Sequence, residues 1–296
     1  MGDMRKKPGS SEKRRLGRFR LHALLAGYVR LDGGAMFGVV PRPLWERKIE
    51  PDDRNRIVLA MRCLLVESDD ALLLIDSGAG NKEDEKFIEI YGLENEGQPT
   101  ALEDAIRAAG FAPSDVTHLI NTHLHFDHAG GDTVRLEDGR AAPAFPGRRH
   151  FVQRGEWEFA HLQNERVRAS YLLHSIDPVR EAGLFEFVEG QVDVVPGVSL
   201  RPTPGHTPHH QSVVIESGGE RAIFLADLVP TVAHLPLPWI MGYDIEPLVT
   251  LETKRVVLEE AKRERTLLIF EHDPVTSWGY LSPEQEKPTL VDERPD

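Results

Sequence analysis

The sequence predicts an α/β protein in which two β-sheets pack face to face with helices outside. Two observations carry this prediction: strand-like runs followed by helical stretches occur in each half of the chain, and no linker separates the halves. Hydrophobic residues make up 40% of the 296 residues, which is enough for a full core. We therefore expect residues 19–296 to form one domain and residues 1–18 to be a disordered basic tail.

The elements follow in order along the chain. The apolar runs 57–66 and 71–75, divided by a polar stretch, predict a hairpin. The predicted strands are residues 19–29, 57–66, 71–75, 116–121, 149–153, 192–195, 198–201, 212–216, 221–226 and 267–270. The predicted helices are residues 101–109, segments between about 154 and 174, and residues 251–265.

Composition excludes several kinds of partner. The net charge is −13, whereas phosphate binding needs a basic face, so nucleic acid is not expected. No run approaches the ~18 apolar residues of a membrane span, so no membrane association is expected. The single cysteine, Cys63, cannot form an internal disulfide and lies in an apolar run, which favours a cytoplasmic protein.

The motif His123-x-His125-x-Asp127-His128 follows the predicted strand 116–121 directly. Imidazole and carboxylate groups are ligands of divalent metal ions. Four such groups within six residues cannot all bind one ion without strain, but they can divide into two pairs. Clustered His and Asp side chains beside a buried strand would be costly to desolvate without a metal. The motif therefore predicts a metal site.

Three further candidates each lie just past the end of a predicted strand, so all could converge on one rim. These are His206, Asp227 and His272. A lone histidine after a strand is more often a structural residue, but here the shared position and the first motif together favour metal binding.

This order of motifs resembles the metallo-β-lactamase superfamily from about residue 19 to residue 274. The resemblance implies an αββα sandwich of two mixed β-sheets flanked by helices. It also implies seven metal ligands: His123, His125 and His206 on one ion, Asp127, His128 and His272 on the other, and Asp227 bridging both. Asp76, after the hairpin, would orient a ligand histidine or the loop, although a turn aspartate is the alternative.

The ligand set implies a hydrolase with two divalent ions. Zinc is expected, and iron, manganese and cobalt are compatible. Two cations roughly 3.5–4 Å apart can share a hydroxide, because metal binding lowers the pKa of water toward about 7. The hydroxide would attack a carbonyl or phosphoryl centre, and Asp127 is our candidate to pass a proton to the leaving group.

The segments Pro204-Gly205-His206-Thr207-Pro208 and Gln211-Ser212 resemble the branch of acyl-homoserine lactonases and methyl parathion hydrolase. We therefore expect a lactone or carboxylic ester substrate, with organophosphate triesters and β-lactams as alternatives. Pro230 stands where many lactonases have tyrosine, three residues past the bridging aspartate, which favours the organophosphate alternative. His209 replaces the usual glycine.

The walls of the substrate pocket are predicted from aromatic and apolar side chains, whose alternative role is core packing. The candidates are Met36, Phe37, Trp157, Tyr171, Trp239 and Tyr243. The expected partner is a small-molecule substrate, and because family members are often dimers, a homodimer is the candidate oligomer. A non-catalytic metal-binding module and an iron oxidoreductase are the competing classes; the filled ligand positions argue against the first, and His125 and the lack of a flavin domain against the second.

Overall fold

The computed structural model describes residues 5–94, 100–285 and 287–295. Its strands are β1 (Ser11–Leu16), β2 (Phe19–Asp32), β3 (Arg56–Glu67), β4 (Leu72–Ile75), β5 (His118–Ile120), β6 (Thr133–Arg135), β7 (Ala141–Pro143), β8 (Arg149–Gln153), β9 (Phe185–Val188), β10 (Val192–Val195), β11 (Val198–Pro202), β12 (Gln211–Ser217), β13 (Glu220–Phe224), β14 (Leu267–Ile269), β15 (Trp278–Leu281) and β16 (Leu290–Val291). Its α-helices are α1 (Gly33–Phe37), α2 (Arg42–Trp45), α3 (Glu85–Tyr91), α4 (Ala101–Ala108), α5 (Phe126–Ala129), α6 (Arg154–His161), α7 (Leu173–Glu181) and α8 (Pro247–Glu264).

The chain divides into two compact units. The amino-terminal unit comprises Lys6–Val29 and the described part of Met61–Gly190, and the carboxy-terminal unit comprises Arg30–Ala60 and the described part of Gln191–Asp296. Apart from a small β6–β7 pair, the strands form two seven-stranded sheets, ordered β1-β2-β3-β4-β5-β8-β9 and β10-β11-β12-β13-β14-β15-β16.

The first sheet is mixed. β1 and β2 are antiparallel, as are β3 and β4, whereas β4, β5, β8 and β9 run parallel to one another. All four side chains of β4 are buried, which is the continuous apolar pattern of a strand covered on both faces. Thr100 and Glu103 form a capping box at the start of α4, which fixes where that helix begins.

The second sheet is antiparallel except for the parallel pair β13–β14. Gly218 and Gly219 join β12 to β13 with positive φ angles of 61° and 77°, as a tight hairpin turn requires. α8 contributes Val257, Leu258 and Ala261 to a core shared with this sheet's apolar side chains. The hairpin and the helix were both predicted from the sequence.

The prediction of a disordered tail over residues 1–18 is wrong for Ser11–Leu16. These residues form β1 and pair with β2, with Leu16 opposite Phe19. Both side chains are buried, at 2% and 0% exposure, so apolar contacts at the end of the strand outweigh the basic composition. Residues 1–4 lie outside the described residues, and the single domain over residues 19–296 stays a prediction.

Two expectations drawn from composition can be compared with the structure. Cys63 is a buried cysteine within β3. Among the described residues, none of the helices combines the length and the apolar character that a membrane crossing demands.

Candidate metal centre

The His123–His128 motif lies on the loop after β5 and continues into α5. Its candidate ligands are buried, with exposures of 0% for His123, 8% for His125, 6% for Asp127 and 0% for His128. The centroid of the His123 ring lies 4.5 Å from that of the His125 ring and 4.0 Å from that of the His128 ring. Asp127 Oδ1 lies 3.9 Å from His128 Nε2. The structure thus brings these four side chains of the amino-terminal unit together, and their role as metal ligands stays a prediction.

Asp76 holds this loop from the end of β4. Its Oδ1 accepts from the Thr122 backbone N–H at 2.8 Å, and its Oδ2 accepts from the Thr122 hydroxyl at 2.7 Å. Oδ2 also accepts from His128 Nδ1 at 3.2 Å. Asp76 has a φ of +56°, an unfavourable value for a non-glycine residue. Its contacts are those that the predicted role, orienting a ligand histidine and the loop, requires.

The loop is closed by close backbone packing. A Cβ at position 131 would lie 2.1 Å from the Ser77 carbonyl oxygen, so only glycine fits there. The buried Lys82 ammonium donates to the carbonyl oxygens of Gly130 and Thr133. Burial lowers the pKa of Lys82 to about 8, and Glu83 and Asp132 oppose this effect.

The carboxy-terminal unit holds a second set of candidate ligands around one carboxylate. Asp227 Oδ2 lies 2.9 Å from His206 Nε2, and Asp227 Oδ1 lies 3.0 Å from His272 Nε2. All three side chains are buried, at 2% to 6% exposure. One carboxylate thus directs a different oxygen toward each of two imidazoles, which is the arrangement that a metal-bridging aspartate needs.

Sheet register places Asp227 and His272. Phe224 of β13 is paired with Ile269 of the parallel strand β14, and each candidate ligand follows three residues later. Ala226, directly before Asp227, has a φ of +44°, so the backbone turns sharply to present the carboxylate. The Asp227 backbone N–H donates to His210 Nε2 at 3.3 Å.

Four of the five candidate histidines are oriented by their Nδ1 atoms. His206 donates to Asp244 at 2.9 Å, His272 to the Ala60 carbonyl oxygen at 2.7 Å and His128 to Asp76. His123 Nδ1 lies 3.1 Å from the Thr122 hydroxyl, which must accept because its own proton goes to Asp76. Nδ1–H donation leaves the Nε2 lone pair for a metal, so these donors fit one.

Electrostatics at His206 also suit a cation. Burial lowers the pKa of His206, but the carboxylates of Asp227 and Asp244 raise it more, to about 10. A positive charge at Nε2, whether a proton or a metal ion, is therefore stabilised by both carboxylates. The chemistry of this donor set is that of a site for divalent ions.

Sequence reasoning missed three residues that orient the candidate ligands. Asp244 and His210, described above, lie in loops of the carboxy-terminal unit, and Glu156 lies on α6. None of them belongs to a local motif, because each acts through a contact with a distant part of the chain. Glu156 is buried on the same side of α6 as Ala160, four residues later. An acidic residue at helical spacing from an apolar one was therefore the available sign of its role.

The predicted pocket residues divide into two groups. Phe37, Met36 and Tyr171 are at most 1% exposed and pack in the interior, and their place in a substrate pocket stays a prediction. Phe37 is stacked on Trp45 and His234 within its own core, and Tyr171 packs against His125. The other three, which stay predictions, are Trp157 against Phe185 and Phe187, half-buried Trp239, and Tyr243 at 37% exposure.

Comparisons with known proteins agree with this geometry. The family model described as the metallo-beta-lactamase superfamily matches residues 59–272. An N-acyl homoserine lactonase of Bacillus thuringiensis is 31% identical over 225 residues, covering 73% of this chain and 82% of that protein.

Two solved structures are also similar. A probable metal-dependent hydrolase from Staphylococcus aureus has a TM-score of 0.87 and 28% identity, covering 95% of this chain and 99% of that one. An N-acyl homoserine lactone hydrolase with the product N-hexanoyl-L-homoserine bound at its catalytic metal centre has a TM-score of 0.64 and 26% identity, covering 89% and 94%. These matches confirm the fold class and the family predicted from the sequence.

Proposed function

Because the chain belongs to the metallo-β-lactamase superfamily, we propose that it is a dinuclear metal-dependent hydrolase acting on lactones or carboxylic esters. Its α/β fold of two mixed sheets flanked by helices is that of the family. Its homologues are lactonase hydrolases, and it carries His and Asp groups able to hold metal ions. The number of ions, their identity and the substrate are the parts that we propose.

The proposed ligands are the seven side chains His123, His125, Asp127, His128, His206, Asp227 and His272. The observation that carries the proposal is the Asp227 carboxylate, whose two oxygens lie 2.9 and 3.0 Å from two different imidazoles. A carboxylate that serves a single ion would not need this arrangement. The Nδ1–H donors of His206 and His272 then fix which nitrogen faces the metal.

Two divalent ions held by these residues would supply Lewis acidity toward a carbonyl oxygen and would lower the pKa of water toward about 7. The protein's part is to hold its ligands rigidly and to manage one proton. Asp127 is 6% exposed, so a little of its surface still faces solvent. We assign to its carboxylate the proton transfer of the reaction: it would take up the proton that the attacking water loses and give it to the alkoxide leaving group as the ring or ester opens.

A lactone is supported by the relatives, since both the Bacillus thuringiensis protein and the product-bound hydrolase act on N-acyl homoserine lactones by name. An acyl-homoserine-lactone-like substrate and zinc are therefore the proposed pair. Pro230 favours an organophosphate triester as the second candidate, because proline supplies no hydroxyl where many lactonases carry tyrosine. A cytoplasmic location and a homodimer stay predictions.

The test combines elemental analysis with substrate assays. We expect about two metal ions per chain and fastest turnover on a lactone or ester within a panel that also holds a phosphotriester and a β-lactam. Asp227→Ala should lose metal and activity together, whereas the exposed Asp193→Ala should keep both. Fastest turnover on the phosphotriester would promote the second candidate. Failure of the wild type to bind metal, or full activity of Asp227→Ala, would refute the proposal.

A further inference from the structure

We propose that Glu156 and Tyr171 are positioning residues that set the metal affinity of the His123–His125 segment. The sequence did not indicate that either residue orients a metal ligand, and neither residue is a proposed ligand. This inference rests on the proposed function, because it concerns how the metal ligands are held. It is argued from contacts within the amino-terminal unit alone.

Glu156 is a fully buried carboxylate on α6, with 0% exposure. Its Oε1 accepts from the backbone N–H of Leu124 at 3.1 Å and from the Tyr171 hydroxyl at 2.8 Å. Leu124 is the residue between the two candidate ligands His123 and His125. A hydrogen bond at this backbone position therefore fixes the peptide groups on which both imidazoles are mounted.

Tyr171 acts on the same segment through its ring. The ring is edge-on to His125, with centroids 4.6 Å apart and planes inclined by 67°. One residue earlier, the Ser170 carbonyl oxygen accepts from the Phe126 backbone N–H at 2.9 Å. His125 is thus restrained on both sides: the Leu124 N–H is held by Glu156, and the Phe126 N–H by the segment that carries Tyr171.

The energetics favour a role beyond packing. Placing a carboxylate in a buried position costs free energy, which hydrogen bonds only partly offset. An apolar side chain would join α6 to the loop without that cost. The carboxyl oxygen instead accepts hydrogen bonds from both the Leu124 N–H and the Tyr171 hydroxyl, which an apolar side chain cannot do. This free-energy cost therefore falls at the backbone segment between two candidate metal ligands, where the position of the loop matters most.

The experiment measures metal binding by the full chain, using zinc competition against a chromophoric chelator and the visible spectrum of the cobalt-substituted protein. We expect Glu156→Met to weaken binding of one ion about 10–100-fold and to change the cobalt spectrum. Glu156→Gln keeps an oxygen acceptor and should recover most of the affinity. Tyr171→Phe keeps the ring but not the hydroxyl, and should give an intermediate loss.

Gln153→Met is the matched control. Gln153 is also buried, at 7% exposure, and makes two hydrogen bonds with the Gly190 backbone, at 2.8 and 3.0 Å, away from the ligand segment. It should lower the melting temperature and leave zinc affinity and the cobalt spectrum unchanged.

Two results would overturn the inference while leaving the proposed function intact. One is wild-type zinc affinity in Glu156→Met together with a lower melting temperature. The other, decisive if Glu156→Met does not fold, is zinc affinity in Tyr171→Phe equal to that of Gln153→Met. A wild-type protein that binds no metal would instead refute the proposed function itself.

Discussion

Asp244 orients a proposed metal ligand without being a proposed ligand itself. It lies 38 residues beyond His206, and its Oδ1 accepts from His206 Nδ1 at 2.9 Å. This hydrogen bond selects the tautomer and makes the imidazole a better donor. Burial of Asp244, which is 3% exposed, keeps the interaction out of competing water.

Asp244→Asn should therefore weaken metal binding. Asparagine keeps an oxygen acceptor but removes the charge, so we expect about a tenfold loss of zinc affinity in chelator competition. Asp193→Asn makes the same chemical change at an exposed aspartate and should leave zinc affinity unchanged. Equal affinities for the two variants would show that Asp244 does not tune His206.

At the residue scale, the candidate ligands could be predicted from the sequence because each is a metal-binding residue type placed just after a strand. His123 to His128, His206, Asp227 and His272 each follow a strand directly, and that pattern was visible without coordinates. Asp244 and Glu156 have no such signature, because their partners are distant in the chain. The burial of Phe37 was not visible in the sequence either, because burial of an aromatic side chain depends on what packs against it, here Trp45 and His234.

At the scale of elements, the loop between β11 and β12 depends on one glycine. Gly205 precedes His206 and has a φ of +137°. A Cβ there would lie 2.4 Å from both the backbone nitrogen and the Oγ1 of Thr250, in the first turn of α8. Backbone hydrogen bonds from Glu246 to Gly205 and from Ile245 to His206 hold the same approach, at 2.9 and 3.1 Å.

Gly205→Ala should accordingly lower the free energy of unfolding more than the same substitution at a glycine whose added Cβ would meet no other atom. Gly219→Ala, at a φ of +77° with nothing within 4 Å of the added Cβ, should cost only the backbone strain of roughly 1–2 kcal/mol. Gly205→Ala adds a clash with α8, so we expect a larger loss in urea unfolding and weaker zinc binding. Equal unfolding free energies for the two variants would contradict this reading.

The long strands, the β12–β13 hairpin and helices α4 and α8 were predicted because their apolar periodicity is strong. β1 was not, since its basic side chains conceal a strand whose pairing with β2 stabilises it. α2 and β16 have four and two residues, respectively, and are too short to show a period. Their structure depends on tertiary contacts.

At the scale of the whole molecule, metal binding should be linked to folding. An unfolded chain does not hold the proposed ligands in place, so metal favours the folded state. Removing metal with a chelator should lower the melting temperature in calorimetry, and adding zinc back should restore it. An ion present at 100 times its dissociation constant contributes about 2.7 kcal/mol. An unchanged melting temperature would show that no tightly bound ion supports the fold.

The pairing of Phe224 with Ile269 has a consequence for how such a protein can diversify. Since Asp227 and His272 take their spacing from two adjacent strands, a substitution of an exposed side chain outside those strands, such as Tyr243 at 37% exposure, leaves that spacing in place. We expect substrate preference to change through such exposed side chains, while the position of the Asp227 carboxylate, the proposed metal bridge, is inherited from the sheet.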